Sequence, residues 1–112
     1  MFIIGDIHAN YPSLTSLLSF LKPAVDDQLI FLGDYLDKNP FIEETLTLLK
    51  SFQKRFKCVF IKGNHDFVWA KYLNDKETSR RDFIENYGGL ETLRQFSAKP
   101  ELMADYLKII SQ

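Results

Sequence analysis

Cysteine is almost absent from this chain. Cys58 is the only cysteine among 112 residues, so these residues can form neither an internal disulfide nor a CxxC metal site. Proteins without disulfides are typical of reduced compartments, and we therefore expect a cytoplasmic location. Cys58 itself comes just before a short apolar run, so we expect it to be a small buried hydrophobe at the start of a strand.

An excess of charge of one sign is also lacking. Fourteen lysines and arginines stand against fifteen aspartates and glutamates, which gives a formal net charge of −1. Domains that bind nucleic acid usually carry excess positive charge to offset the phosphates. Nucleic acid is therefore not an expected partner.

Long apolar runs are missing as well. No run approaches the roughly 18 residues of a membrane-spanning helix. The N-terminus shows no basic stretch followed by a long apolar one, the mark of a signal peptide, so we expect no membrane partner. The chain is nevertheless 46% hydrophobic and 14% aromatic, which argues against disorder, and its length is that of one domain.

Three short apolar runs are present, at Phe2–Ile4, Leu29–Leu32 and Val59–Ile61. Their residues do not alternate with polar ones, a pattern typical of strands that are buried on both faces. An amphipathic segment separates each pair of runs. The order strand, helix, strand, helix, strand predicts two right-handed crossovers in a three-stranded parallel sheet of the α/β class.

The two amphipathic segments have recognisable ends. In the first, leucines recur at the spacing of one helix face between Pro12, in the first turn, and Pro23, after the last. The second is predicted to begin at Asn39 and Pro40, with Asn39 as the capping residue, and to continue through Arg55. Its predicted apolar stripe consists of Phe41, Thr45, Leu48, Leu49 and Phe52.

Strand signals stop after Ile61, and the rest of the chain has helical character. Helices are predicted over residues 67–73, 79–87 and 90–96 and from Pro100 onward, with a polar loop over residues 74–78. We therefore predict one domain over residues 1–112, with a βαβαβ core at 1–66 and a helical segment at 67–112. Side chains assigned to core or helix packing are Phe20, Phe31, Phe52, Phe60, Trp69 and Tyr72.

A polar cluster follows each apolar run: GDIH at residues 5–8, GDYLD at 33–37 and GNHD at 63–66. The carboxyl ends of parallel strands meet at one edge of a sheet, so these clusters should converge. The glycines should let the chain turn sharply and bring backbone close to a ligand. Clustered carboxylates repel one another unless a divalent cation lies between them, and mixed oxygen and imidazole ligands favour Mn²⁺, Fe or Zn²⁺.

The stretches GDIHAN, GDYLDKN and GNHD, each after a predicted strand, resemble the first three motifs of the calcineurin-like metallophosphoesterases. The GDY-x-D form and the later NYGGLETL at residues 86–93 resemble the phosphoprotein phosphatase branch, especially its bacterial serine/threonine phosphatase-like members. The resemblance extends over residues 1–96. It implies the N-terminal half of an αββα sandwich with metal-dependent phosphoesterase activity.

The resemblance also implies a set of metal ligands. The family uses two metal ions, of which Mn²⁺ is the first expectation here, bridged by an aspartate and by a hydroxide that attacks phosphorus. By motif, Asp6 and His8 would bind the first metal and Asp34 would bridge both. Asn64 would bind the second metal and contact phosphate.

Further residues are implied for proton transfer and phosphate binding. His65 would protonate the leaving oxygen as general acid, and Asp37 would orient the His65 ring. Lys38 stands where the branch usually has arginine, so it can attract phosphate but lacks the bidentate fork. Asp66 is expected to support its loop rather than the chemistry.

The chain departs from the family pattern in two ways. Ala9 and Asn39 replace glycines, and we expect both changes to be tolerated. The later histidine ligands of the family have no counterpart, because no histidine follows His65. The second metal would keep only two of its ligands, too few to hold it firmly. We therefore expect that a missing C-terminal half, or a second chain, completes the site.

Two classes of function follow. The first is a metal-dependent phosphatase whose substrate is either a phosphorylated protein or a small phosphoester. Diadenosine tetraphosphate is the alternative substrate class. The second is a chain that is inactive on its own and serves as a single-metal or interaction module.

Overall fold

The computed structural model describes residues 1–75 and 79–111. Within those residues, two helices separate three strands, and four further helices follow the last strand. In chain order the elements are β1 (Phe2–Ile4), α1 (Tyr11–Leu21), β2 (Gln28–Phe31), α2 (Ile42–Arg55), β3 (Lys57–Phe60), α3 (Asn64–Asp75), α4 (Ser79–Asn86), α5 (Leu90–Ala98) and α6 (Pro100–Ile110).

The strands form a parallel sheet in the order β1-β2-β3, as the sequence predicts. One row across the sheet, Ile4, Phe31 and Phe60, is buried, and the Phe31 ring stacks on Phe52 of α2 at 6.2 Å between centroids. Two successive right-handed crossovers in one direction place α1 and α2 on the same side of a sheet. This side therefore holds the core of the strand–helix unit.

The apolar runs are typical of strands buried on both faces, and the described residues cover only one of those two faces. Ile3 and Val59, which flank Ile30 in the adjacent row, are 61% and 41% exposed. The described helices cover only the other face, so the apolar residues of this row meet solvent. Cys58 is likewise half-buried in β3 rather than fully buried, and this burial raises the pKa of its thiol to about 11.

Helix α1 begins as expected, because the side chain of Asn10 accepts a hydrogen bond from the Ser13 amide at 3.2 Å and Pro12 lies in the first turn. The assignment of Phe20 to the core is wrong, since its side chain is 83% exposed. Six positions after the buried Leu14, Phe20 points roughly 120° away from the core around the helix axis.

The predicted start of α2 is also wrong. The helix begins at Ile42 with Phe41 as N-cap, and no side chain caps it. The side-chain amide of Asn39 instead donates a hydrogen bond to the carbonyl of His8 at 2.8 Å. The side chain therefore makes a tertiary contact and does not cap the helix. The buried face consists of Ile42, Thr45, Leu46, Leu49 and Phe52, whereas Phe41 and Leu48 of the predicted stripe are only half-buried.

The helical segment adds a second part of the core. Trp69 of α3 packs edge-on against Phe96 of α5 and Tyr106 of α6, with ring centroids 5.3 and 6.5 Å apart. Helix α3 runs to Asp75, so the predicted loop is helical at residues 74–75, and its residues 76–78 lie outside the described part. No helix within residues 1–75 and 79–111 has the length and apolar character needed to cross a membrane.

Candidate active site

The three polar clusters meet at the carboxyl edge of the sheet, as predicted. The carbonyl of Asp34, after β2, accepts hydrogen bonds from the amides of Ile7 and His8, after β1, at 3.1 and 2.7 Å. The Asp34 carboxylate accepts the amide of His65, after β3, at 2.8 Å. Asp34 therefore joins all three strand-end loops.

Two of the three glycines permit this convergence by close packing of backbones. A Cβ on Gly33, whose φ is +109°, would lie 2.1 Å from the Gly63 nitrogen, and a Cβ on Gly63 would lie 2.3 Å from Oδ1 of Asp34. Gly5 differs from these two, because a Cβ there would meet no atom within 4 Å and its φ lies outside the left-handed region.

The loops after β1 and β2 have a strained backbone. Five of the six non-glycine residues with positive φ in the described part of the chain lie here: His8, Ala9, Asp34, Asp37 and Lys38. Each such residue costs on the order of 1–3 kcal/mol unless the surroundings hold it. The amides of Ala9 and Lys38 donate to the carbonyls of Tyr35 and Gly88 at 2.7 and 2.8 Å, so tertiary hydrogen bonds fix the strained conformation.

Asp6, His8 and Asp34 form a group that fits a divalent cation. Each offers one ligand atom, and these atoms lie within 4.8 Å of one another. The Nδ1–H of His8 donates to the carbonyl of Leu36 at 2.9 Å, and a carbonyl can only accept. The lone pair therefore lies on Nε2, which is 3.8 Å from a carboxylate oxygen of Asp6. Two carboxylates and a correctly oriented imidazole are a donor set that binds transition metals.

His65 and Asp37 form a pair beside this group. Nδ1 of His65 lies 2.7 Å from Oδ2 of Asp37, whose side chain is only 2% exposed. The His65 ring is 4.9 Å from the His8 ring, centroid to centroid. Three of the four predicted metal ligands thus lie beside the predicted acid.

The other two predicted residues lie at the edge of the site. Asn64 is exposed at the first position of α3, directly before His65. Lys38 is exposed in a cleft that is also lined by Glu85 and Glu91, and a Cβ on Gly88 would lie 2.8 Å from its side chain.

Asp66 supports the loops, in agreement with expectation. This buried carboxylate accepts the amides of Asp34 and Gly63 at 2.6 and 2.9 Å and the hydroxyl of Tyr106 at 2.6 Å. Burial raises the pKa of Asp66, whereas these three donors act in the opposite direction. Burial also raises the pKa of Tyr106, which keeps the hydroxyl protonated as the donor.

Sequence reasoning missed two polar contacts on Asp37. The indole N–H of Trp69 donates to both carboxylate oxygens at 2.9 and 3.0 Å, and the hydroxyl of Thr92 donates to Oδ1 at 2.9 Å. Trp69 packs in the core as predicted, but helical spacing does not show where its N–H points. The sequence signal that could have indicated the Thr92 contact is the stretch NYGGLET, in which Thr92 follows shortly after two glycines.

Residues 1–107 of the chain match a sequence model of the calcineurin-like phosphoesterases. A Caenorhabditis elegans protein, described by name as a serine/threonine-protein phosphatase, is 33% identical over 76 residues, which are 66% of this chain and 16% of that protein. A PP2A-like serine/threonine-protein phosphatase of Saccharomyces cerevisiae is 24% identical over 96 residues, 84% of this chain and 25% of the relative. The chain thus spans a quarter or less of the length of these relatives.

Proposed function

Because this chain belongs to the calcineurin-like phosphoesterase family, we propose that it hydrolyses phosphate monoesters with divalent metal ions bound at the strand ends. The observation that carries the proposal is the convergence of a metal-binding donor set with a histidine–aspartate pair. The Asp6, His8 and Asp34 group and the His65–Asp37 pair adjoin each other, with the two imidazole rings in contact. These are the groups that metal-assisted phosphoester hydrolysis requires.

Asp6, His8 and Asp34 would hold the first ion, and Asp34 with Asn64 would supply part of a second site. Mn²⁺ suits this mixture of carboxylate, amide and imidazole donors, with Fe and Zn²⁺ as alternatives. Such ions supply Lewis acidity, which makes water a nucleophile at neutral pH and offsets the charge of the phosphoryl oxygens. We propose that the remaining ligands of the second site come from outside these 112 residues.

His65 is the proton donor of the proposed mechanism. Its Nδ1–H donates to the buried carboxylate of Asp37 at 2.7 Å, so Nε2 is the nitrogen left for proton transfer. From there His65 protonates the oxygen that leaves phosphorus, so the product departs as an alcohol rather than an alkoxide. Asp37 is buried and contacts no substrate, and its role is to fix the ring.

Lys38 and Asn64 are proposed to contact the phosphoryl group. Both are exposed next to the buried residues of the site, where a substrate can reach them. Likeness to proteins named as serine/threonine phosphatases favours a phosphorylated serine or threonine as substrate. A reduced, cytoplasmic setting belongs to the same proposal and rests on the single, unpaired Cys58.

The proposal is tested by hydrolysis of p-nitrophenyl phosphate and of a phosphoserine peptide with Mn²⁺. On the phosphoserine peptide, His65→Ala should lower kcat by roughly 10²–10⁴-fold, the usual contribution of a general acid. The loss should be smaller on p-nitrophenyl phosphate, whose leaving group needs little protonation. Asp34→Asn should abolish metal-dependent turnover, whereas Asp26→Asn, which changes an exposed aspartate before β2, should leave it intact.

Turnover that needs no divalent metal, or that persists in Asp34→Asn, would contradict the proposed site. Absence of turnover in the wild type would show that this chain is inactive on its own and that the missing ligands must come from another polypeptide segment. Hydrolysis of diadenosine tetraphosphate in preference to the peptide would change the substrate class and leave the chemistry standing.

A further inference from the structure

We propose that Trp69 and Thr92 are positioning residues that fix the carboxylate of Asp37 and, through it, the imidazole of His65. The inference rests on the proposed function only in that His65 is the proton donor. The positioning itself rests on contacts that do not depend on bound metal.

The Asp37 carboxylate is surrounded by donors. Its Oδ1 accepts the Trp69 indole N–H at 3.0 Å and the Thr92 hydroxyl at 2.9 Å. Its Oδ2 accepts the same indole N–H at 2.9 Å and the His65 Nδ1–H at 2.7 Å. An indole N–H can only donate, so it requires an acceptor at Asp37. Asp37 thus accepts from three side chains while almost fully buried.

This arrangement fixes the plane of the carboxylate. The Trp69 N–H bridges both oxygens, and Thr92 adds a second donor to Oδ1 alone. Oδ2 is thereby left directed at His65. Without these donors the carboxylate could rotate about its terminal torsion, which is intrinsically broad, and the imidazole would lose its fixed orientation.

Both positioning residues come from the helical segment rather than from the strand ends. Trp69 lies one turn after His65 on α3, and Thr92 lies on α5, 55 residues after Asp37. Both side chains are fully buried, so neither can reach a substrate. Their hydrogen bonds therefore act on the reaction through the Asp37 carboxylate.

The first test is the NMR signal of the His65 Hδ1 proton in the metal-free chain. A proton held between Nδ1 and a buried carboxylate exchanges slowly with water, so it should give a downfield signal in the wild type. Thr92→Val and Trp69→Phe, which each remove one donor and nearly preserve volume, should broaden or shift that signal. Thr92→Ser, which keeps the hydroxyl, should retain it.

Thr45→Val is the matched control for Thr92→Val. Thr45 is also fully buried and helical, but its hydroxyl has no hydrogen-bond partner. The same substitution there removes no contact to Asp37, so the His65 signal should not change.

The second test is the dependence of turnover on the leaving group. A misplaced acid slows substrates with poor leaving groups more than those with good ones. Thr92→Val should therefore lower kcat about tenfold on an alkyl phosphate and much less on p-nitrophenyl phosphate, with KM unchanged on both. A purely structural loss would lower both alike.

The outcomes separate this inference from the proposed function. A His65 signal that is identical in wild type, Thr92→Val and Trp69→Phe would overturn the positioning role. A signal lost equally in Thr92→Ser would also overturn it, because the hydroxyl would then not matter. If Thr92→Val does not fold, Trp69→Phe and Thr92→Ser decide between these results. A signal that responds as expected in a chain without turnover would keep the positioning role and refute only the claim that these 112 residues hydrolyse phosphate esters on their own.

Discussion

Asp34 holds the strand-end loops together with three different groups. Its amide donates to Asp66, its carbonyl accepts from Ile7 and His8, and its carboxylate accepts the amide of His65. It does so with φ at +54°, a conformation that costs free energy and that these contacts maintain. Because Asp34 is both a proposed metal ligand and the residue that joins these loops, small displacements of it should weaken metal binding and stability together.

Gly63→Ala should displace Asp34. The added Cβ would lie 2.3 Å from Oδ1, so the carboxylate must move. We expect a free energy of unfolding lower by about 1–3 kcal/mol, as for overpacked sites, and weaker Mn²⁺ binding. Chemical denaturation and metal titration measure both. Gly5→Ala is the control, because its Cβ meets open space. Equal stability of the two variants would contradict the close approach.

Thr45→Val should stabilise the chain. The Thr45 hydroxyl is buried without a partner, so its replacement by a methyl group of similar size removes a desolvation penalty. We expect the free energy of unfolding to rise by about 1 kcal/mol in urea denaturation. Thr92→Val should instead lower it by about 1.5–3 kcal/mol, because that hydroxyl donates to a carboxylate. A destabilised Thr45→Val would contradict this account.

At the scale of elements, the spacing of apolar residues predicted the helices, and short unbroken apolar runs predicted the three strands. The sequence also predicted where the polar clusters meet, since parallel strands share one carboxyl edge. It could not predict that Asn39 bonds to His8 instead of capping α2, because both uses suit an asparagine. Nor could it predict the hydrogen bonds of Trp69 and Thr92, whose burial alone fits an apolar role.

The strained backbone was also invisible to sequence reasoning. Positive φ is ordinarily a glycine property, yet Ala9 and Asp37 have φ values of +52° and +72°. Their conformations are imposed by hydrogen bonds between loops distant in sequence. The one hint is the resemblance to the phosphoesterase motif, which implies glycine at the position of Ala9.

The end of α1 offers a test of the same strain outside the site. Lys22 closes the helix in the left-handed conformation with φ at +46°, and its amide donates to the carbonyl of Leu18. Lys22→Gly should raise the free energy of unfolding by about 0.5–1 kcal/mol, because glycine adopts this conformation without steric cost. Thermal denaturation measures the change. A lower melting temperature than wild type would show that the side chain matters more than the backbone.

At the scale of the whole molecule, the dominant feature is the open face of the sheet. Ile3 and Val59 expose apolar side chains there, and Leu32 and Ile61 are exposed just beyond the strands. Exposed apolar patches favour association. Sequence reasoning placed these residues in strands but could not distinguish the covered row from the open one, because both rows are apolar.

The isolated 112-residue chain should therefore self-associate as its concentration rises. Val59→Thr, which suits a strand but is polar, should shift sedimentation velocity profiles toward the monomer. Val25→Thr is the control, because Val25 is 79% exposed but precedes β2 and lies outside the strands. A wild-type chain that stays monomeric at all concentrations would contradict this expectation.

Mn²⁺ titration followed by NMR tests most directly whether the strand-end loops form one metal site. Paramagnetic Mn²⁺ broadens the signals of nuclei near it. We expect the signals of Asp6, His8 and Asp34 to broaden first, at substoichiometric metal, and Asp34→Asn to remove this effect. Broadening that begins at Asp26 and Asp27, before β2 at the opposite edge of the sheet, or that persists in Asp34→Asn, would contradict it.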